Sequence, residues 1–228
     1  MKQVVMIALI IGSAFGSYAQ YRVNAGASVG SVATMFSLGA EREFNVISKK
    51  FYINPGIRLN VFSGNDLEYI TAPAKYTVND DQVDTLTFNS VQNNFANLYV
   101  RLGYDITEKL SVSFDIDVVG VSFGSEQNNT QYFPGKASRD LGVPNVSSVN
   151  ASPIAVNVLL IGDNNIGSLN STLSLSYNLT NRFGIDAGAG LVFTEYTTNA
   201  AIGYDSNDRF RNKNMMGYIG VSYLFGEK

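Results

Sequence analysis

The chain has 228 residues, with no histidine, no cysteine and no tryptophan. The missing His and Cys remove disulfides, thiolate metal sites, Cys nucleophiles and the commonest general base, so neither catalysis nor a metal or cofactor site is expected. Charged residues make up 15% and the formal net charge is −3, which argues against a nucleic-acid partner; 12% aromatics and 21 glycines against 5 prolines fit an all-β chain of low surface charge.

Residues 1–20 read MKQVVMIALIIGSAFGSYAQ. Lys2 supplies a positive start, Val4 to Ile11 an apolar run, and Ser17 and Ala19 the small residues before a cut after Ala19. The expected division is a signal peptide over 1–19 and a single β-domain over 20–228. The apolar run is too short for a spanning helix, which needs ~20 residues, and no later stretch approaches that length. Any membrane span must then be made of strands.

Strands are expected at 21–30, 35–45, 51–62, 95–106, 110–122, 168–179, 183–196 and 214–225. A seven-residue pattern (aliphatic, Ser/Thr, any, Lys/Arg, Phe/Leu, any, Ile/Val) joins three pairs of them. It occurs at Ile47–Ile53, Ile106–Val112 and Leu179–Ile185. Each copy reads as a tight hairpin turn between alternating segments. Short turns at one end and long loops at the other predict an all-β fold: an eight-stranded antiparallel up-and-down transmembrane barrel with short periplasmic turns and long extracellular loops.

The alternation sorts the faces. In the fifth strand Leu110, Val112, Phe114, Ile116 and Val118 oppose Ser111, Ser113, Asp115 and Asp117; in the sixth Leu173, Leu175 and Tyr177 oppose Thr172, Ser174 and Ser176. A soluble sandwich or a ligand-binding barrel shares this period. The polar faces are made of Ser, Thr, Asn and Gly rather than Lys and Glu, which suits a narrow polar interior. By parity that lumen receives Arg22, Arg58 and Arg101 with Glu41, Glu43, Asp115, Asp117 and Asp186. An ion-paired plug is favoured over an ion path, because small barrels fill their interiors and isolated buried charges are costly. Glycines on this face, such as Gly184, Gly188 and Gly190, are read as space for bulky neighbours. Arg42 falls outward beside the turn end. The apolar faces end near the turns in Phe44, Phe51, Tyr104, Tyr177, Phe183, Tyr223 and Phe225, the pattern of an aromatic girdle.

Residues 63–94 are expected as one long loop. Its Asp80, Asp81 and Asp84 read as a solvated acidic segment rather than a divalent-cation site, since their spacing matches no EF-hand. Residues 123–167 are expected as the longest loop, in which 153–167 either extends the sixth strand or forms an extra hairpin. The last loop carries Arg209, Arg211 and Lys213. Ordinary surface charge is favoured there over contact with lipopolysaccharide phosphates.

The start near Ala19-Gln20, the three turns, and the ending Met215-Met216-Gly217-Tyr218-Ile219-Gly220-Val221-Ser222-Tyr223-Leu224-Phe225 resemble the small outer-membrane β-barrel proteins of Bacteroidota, of OmpA/OmpX-like architecture. The resemblance implies an integral outer-membrane protein, exported by its signal peptide and inserted by the barrel assembly machinery, which reads a terminal aromatic. Here Gly226-Glu227-Lys228 follow Phe225, a departure from that ending. The expected function is non-enzymatic: a structural or interaction role played by the loops. The expected partners are outer-membrane lipids, lipopolysaccharide among them, and an envelope protein whose identity the residues do not give. A narrow pore or transporter, an accessory barrel of a secretion machine, and a soluble periplasmic lipid-binding barrel remain as alternatives.

Overall fold

Alternating apolar and polar residues with few prolines favour long strands, and the computed structural model is built almost wholly from them. It describes residues 20–48, 50–72, 74–160 and 164–226; the expected signal peptide lies outside the described residues. One antiparallel sheet holds twelve strands: β1 (Tyr21–Val29), β2 (Ala33–Arg42), β3 (Asn45–Ser48), β4 (Phe51–Thr71), β5 (Thr85–Asp105), β6 (Leu110–Phe123), β7 (Gln127–Phe133), β8 (Val146–Pro153), β9 (Val156–Val158), β10 (Leu169–Asn178), β11 (Phe183–Thr198) and β12 (Arg209–Phe225). Two short helices, α1 (Ala74–Thr77) and α2 (Lys136–Asp140), sit in the connections.

The pairings run in a circuit. β1 pairs β2, β2 pairs β4, and the chain of partners continues through β5, β6, β10, β11 and β12 back to β1. A second circuit lies at the loop end. There β12 pairs β4 directly through Phe210↔Thr71 and Arg211↔Ile70. The partners then run β4, β5, β7, β8, β11 and back to β12. The β1–β2 hairpin has already ended below this level, so two strands leave the ring and β7 and β8 replace β6 and β10.

This second tier corrects the expected loops. The span 63–94 is mostly strand, because β4 runs on to Thr71 and β5 starts at Thr85. The span 123–167 contains the β7–β8 hairpin, α2 and β9. β9 pairs β6, and Val158 bridges Ile166, so an additional short hairpin does form there. β12 begins at Arg209, which moves Arg209, Arg211 and Lys213 from a loop into a strand.

The two tiers differ in polarity. On the lower part of β4, Asn54, Arg58 and Asn60 are buried while Ile57, Leu59 and Val61 are exposed. Farther up the same strand, Phe62, Leu67 and Tyr69 are buried and Asn65, Asp66 and Glu68 are exposed. The buried face changes parity at Asp66, whose φ of 52° is left-handed, a conformation that a short polar side chain tolerates. On β5, Asn89 and Ser90 are both exposed, so the partner changes parity at the same level. The register therefore survives, from Asn65↔Ser90 to Leu67↔Phe88. Inside the upper tier Tyr69 meets Phe88 and Tyr196 edge-on at 4.7 and 5.4 Å, and its hydroxyl bonds Thr194 Oγ1 at 2.7 Å. Tyr132 and Phe210 pair at 6.2 Å. This is an apolar core in which the Tyr69 and Tyr196 hydroxyls are bonded while that of Tyr132 has no partner among the described residues.

The turns explain the repeated pattern. Thr107 Oγ1 accepts from the N–H groups of Lys109 and Leu110 at 3.2 and 3.0 Å, and Thr180 Oγ1 accepts from Arg182 and Phe183 at 3.2 and 2.9 Å. Hydroxyl caps of this kind fix a tight turn. The cationic fourth position is also tied down. The carbonyls of Lys50, Lys109 and Arg182 each accept an N–H from the next strand along, at 2.8 Å from Asp105, Asn178 and Leu224 respectively.

Candidate functional site

The enclosed face of the lower tier carries ionised side chains contributed by six strands, β1, β2, β4, β5, β6 and β11. Glu41 on β2 is its hub, at 2% exposure. It accepts from Asn54 Nδ2 at 3.0 Å, the Tyr99 hydroxyl at 2.7 Å and Arg101 Nη1 at 3.2 Å. Arg22 on β1 lies 3.5 Å from Glu41 and 3.2 Å from Glu43. Arg101 on β5 grips Asp115 on β6 with two parallel bonds, Nε at 2.7 Å and Nη2 at 3.0 Å. Such a fork is the strongest pairing a carboxylate can make.

Above it, Arg58 on β4 donates to Asp117 Oδ1 through Nε at 2.9 Å and Nη2 at 2.6 Å. The same guanidinium reaches the Asn170 carbonyl on β10 at 2.8 Å, stands 3.7 Å from Asp115, and lies 4.8 Å over the Tyr99 ring. β4 and β10 are not neighbours in the sheet, so this bond crosses the interior. Asn24 on β1 likewise reaches the Tyr99 hydroxyl at 3.0 Å. The charged long side chains come from the β1–β6 wall, and Tyr218 of β12 packs against Gly26 and Gly220. The facing wall of β10–β12 offers Ser174, Ser176, Gly188, Gly190 and Ser222, whose small size leaves room for them.

Glycine serves close approach on both walls. A Cβ at Gly103 would overlap the Tyr52 ring, and one at Gly56 the Tyr99 ring. On β11 the reason differs from the expected one: a Cβ at Gly188 would strike the β10 backbone at Leu173 and Ser174, not a bulky side chain.

Asp186 stands apart from the guanidinium groups. It accepts from the Ser176 hydroxyl, and its Oδ2 has no hydrogen-bond partner among the described residues. A layer of amides follows upward. Asp117 Oδ2 accepts from Asn97 Nδ2 and the Asn170 N–H, both at 2.8 Å, and Asn157 Nδ2 donates to Asn97 Oδ1 at 2.8 Å. Sequence parity does not find the next group. Glu195 on β11 is 0% exposed and takes Arg209 Nε at 2.6 Å, Arg211 Nη2 at 3.0 Å and the Gly167 N–H at 2.9 Å. Arg211 is thus a buried cation, which corrects its placement as surface charge. The readable signal is the cross-strand pair Glu195↔Arg211, visible only once β12 is known to start at Arg209. Three successive buried residues, Thr194, Glu195 and Tyr196, break the alternation just there.

Asp84 is a second correction. It is fully buried and accepts the N–H groups of Gly135 and Tyr204 at 2.7 and 2.8 Å. It ties three connections together, while Asp80 and Asp81 remain exposed.

The seven expected aromatics lie near the turn end of the outer face. Phe51 pairs across from Tyr104, and Phe183 across from Tyr223. Tyr223 and Phe225 pack at 4.7 Å, and Arg42 lies 4.5 Å over Phe44. Tyr177, at 43% exposure, stands beside them on β10.

Together these features define an all-β protein whose single antiparallel sheet encloses charge and exposes apolar side chains. No protein-family model matches the chain, and no curated protein matches it. Among solved structures it is similar to Neisserial surface protein A (12% identity over 91% of this chain and 96% of that one, TM-score 0.39). It is also similar to the N-terminal β-barrel domain of Pseudomonas aeruginosa OprF (10%, 91% and 98%, TM-score 0.40). A third similar structure is Ail, the attachment invasion locus protein of Yersinia pestis (11%, 91% and 97%, TM-score 0.36).

Proposed function

We propose that the chain is a non-enzymatic, integral β-barrel protein of the bacterial outer membrane. The circuit of β1, β2, β4, β5, β6, β10, β11 and β12 is read as the eight-stranded spanning barrel, OmpA/OmpX-like in architecture. Its turns face the periplasm and its upper tier stands outside the cell. The observation that carries the reading is the inverted burial of the lower tier. Ile219 is 67% exposed, Leu38 56% and Leu175 53%, while Arg58, Arg101 and Asp117 are at 5%, 4% and 0%. In water such a wall would forfeit ~25 cal/mol for every Å² of apolar surface left uncovered. In a bilayer that wall is solvated, and the polar interior is the normal filling of a small barrel. A soluble lipid-binding barrel needs the opposite arrangement, with apolar side chains inside.

The role is structural or interactive. The ion-paired network fills the lower interior and the Tyr69–Phe88–Tyr196 core roofs it, which supports a closed lumen over a pore. Outer-membrane lipids cover the wall. Export and insertion follow the route of such barrels, through a cleaved leader and the assembly machinery. The test is fractionation of envelopes followed by gel migration with and without boiling. The expected result is a membrane-retained chain whose folded band shifts on heating. Release in soluble form without detergent would overturn the proposal.

A further inference from the structure

The repeated turn does more than reverse the chain. Its Lys/Arg position is held by a backbone bond to the next strand in all three copies, so the backbone from which each cation projects is anchored at the turn end. Lys109 and Arg182 are exposed, and neither makes an ion pair among the described residues. Glu108, exposed in the same turn as Lys109, leaves it unpaired.

Directly above these two turns the outer wall is not convex. A groove of about 490 Å³ runs across β10, β11, β12 and β1. Leu110 and Tyr177 line it nearest the turns, with Ala187 lying between Leu175 and Ile219 and Ala25 beside Val221. The volume falls within the ~300–1,000 Å³ of ordinary small-molecule sites. Leu110 directly follows Lys109, and Tyr177 and Ile185 enclose the turn that carries Arg182. An apolar trough thus ends on two unpaired cations at the boundary marked by Tyr177, Phe183 and Tyr223.

We propose that this wall holds one anionic phospholipid of the turn-side leaflet, with its phosphate between Lys109 and Arg182 and an acyl chain in the groove. The inference rests on the membrane reading above. A phosphate answers both cations through charge-assisted bonds, and the small Ala25 and Ala187 leave space in the lining that Leu would fill.

The test is native mass spectrometry of the folded protein released from mixed micelles that contain phosphatidylglycerol. One retained lipid per chain is expected. Diacylglycerol with the same chains and no phosphate should not be retained. Each of Lys109→Gln and Arg182→Gln should weaken retention roughly fivefold, the equivalent of about 1 kcal/mol per basic side chain at an anionic surface. Ala25→Leu with Ala187→Leu should release the lipid with both cations intact. Lys50→Gln alters the third copy of the turn, whose strands β3 and β4 do not line this groove, and should retain the lipid. Folding of every variant is read from its heat shift on gels. Folded variants that all keep the lipid, equal retention of diacylglycerol, or equal loss in Lys50→Gln would overturn the proposal while leaving the membrane reading intact. A chain that stays soluble without detergent would overturn both.

Discussion

Arg101→Ala removes the guanidinium that joins Glu41 to Asp115. At 4% exposure it donates to Asp115 at 2.7 and 3.0 Å and to Glu41 at 3.2 Å. Removing one partner of a buried ion pair costs ~3–5 kcal/mol, because the other charge stays buried. The damage is uneven here. Glu41 keeps Arg22 at 3.5 Å, Asn54 at 3.0 Å and Tyr99 at 2.7 Å, whereas Asp115 keeps only the longer contact to Arg58 at 3.7 Å. One stranded carboxylate, partly compensated, puts the expected loss near the lower bound, about 3 kcal/mol. With a urea slope of ~1–3 kcal/mol per molar, the unfolding midpoint should fall by roughly 1–3 M. The assay is urea titration of protein reconstituted in phospholipid vesicles, with the folded fraction read from the unboiled gel band and from tyrosine fluorescence. Removing the stranded acid as well, in Arg101→Ala with Asp115→Ala, should recover part of the loss. An unchanged midpoint in the single variant, or a double variant no better than the single, would refute the view that these charges sustain one another.

Outward and inward substitutions should separate sharply. Leu175→Arg places a charge at the lipid face and should cost ~2–4 kcal/mol, while Ser174→Ala forfeits one hydroxyl bond worth about 1 kcal/mol; equal insertion yields would mean the faces are misassigned. The upper tier should resist alkali only up to a limit. Burial holds the Tyr69 and Tyr196 phenols above their ordinary value of 10.0, and the neighbouring Tyr196 raises Tyr69 further. A raised folded value means that their stabilisation is complete below about pH 10 and is lost as pH climbs through the folded value. Their phenolate absorbance should therefore appear only with unfolding, and Tyr196→Phe should move that transition to higher pH; early ionisation of both rings would contradict their burial. Purified protein in a planar bilayer should pass no steady current, and a reproducible current altered by Arg101→Ala would show a continuous water path.

The lower tier was legible because one rule governs it. Period-two alternation locates Arg22, Glu41, Arg58, Arg101, Asp115, Asp117 and Asp186 on one face, and their side chains all lie in the interior. What alternation does not supply is partnership. Asp186 carries the same sequence signature as Asp115, yet it meets Ser176 and no arginine: Arg101 is taken by Asp115 and Glu41, and Arg58 by Asp117 and the Asn170 carbonyl. The upper tier was hidden by the same rule. Where β4 and β5 leave the apolar band, the buried residues change from Asn60 and Asn97 to Phe62, Tyr69 and Phe88. The parity also slips at Asp66. A reader following polar-in, apolar-out alternation sees the strand end at that point. Glu195 and Arg211 were lost in the same way, at the level where Thr194 to Tyr196 break the period.

On the membrane reading proposed above, that reversal is what a strand must do when it passes from one solvent to another. Within the apolar band, outward side chains meet hydrocarbon and the interior holds most of its charge in internal ion pairs, with Asp186 on a serine the exception. Above the band the outward side chains meet water, and the hydrophobic effect again favours apolar burial. A strand of constant polarity would expose Leu and Val to water or leave Asn unpaired in a dry core. Changing parity by one residue on β4 and β5 together moves both apolar sets to the face each solvent demands and keeps the ladder in register. Between the two regimes the chain sets a layer that serves both: Asn97, Asn157, Asn170 and the Glu195–Arg209–Arg211 group, every one of them joined by hydrogen bonds. Through these bonds the layer joins the upper tier to the lower one. Above it Asp84, accepting from the Gly135 and Tyr204 N–H groups, ties three connections together.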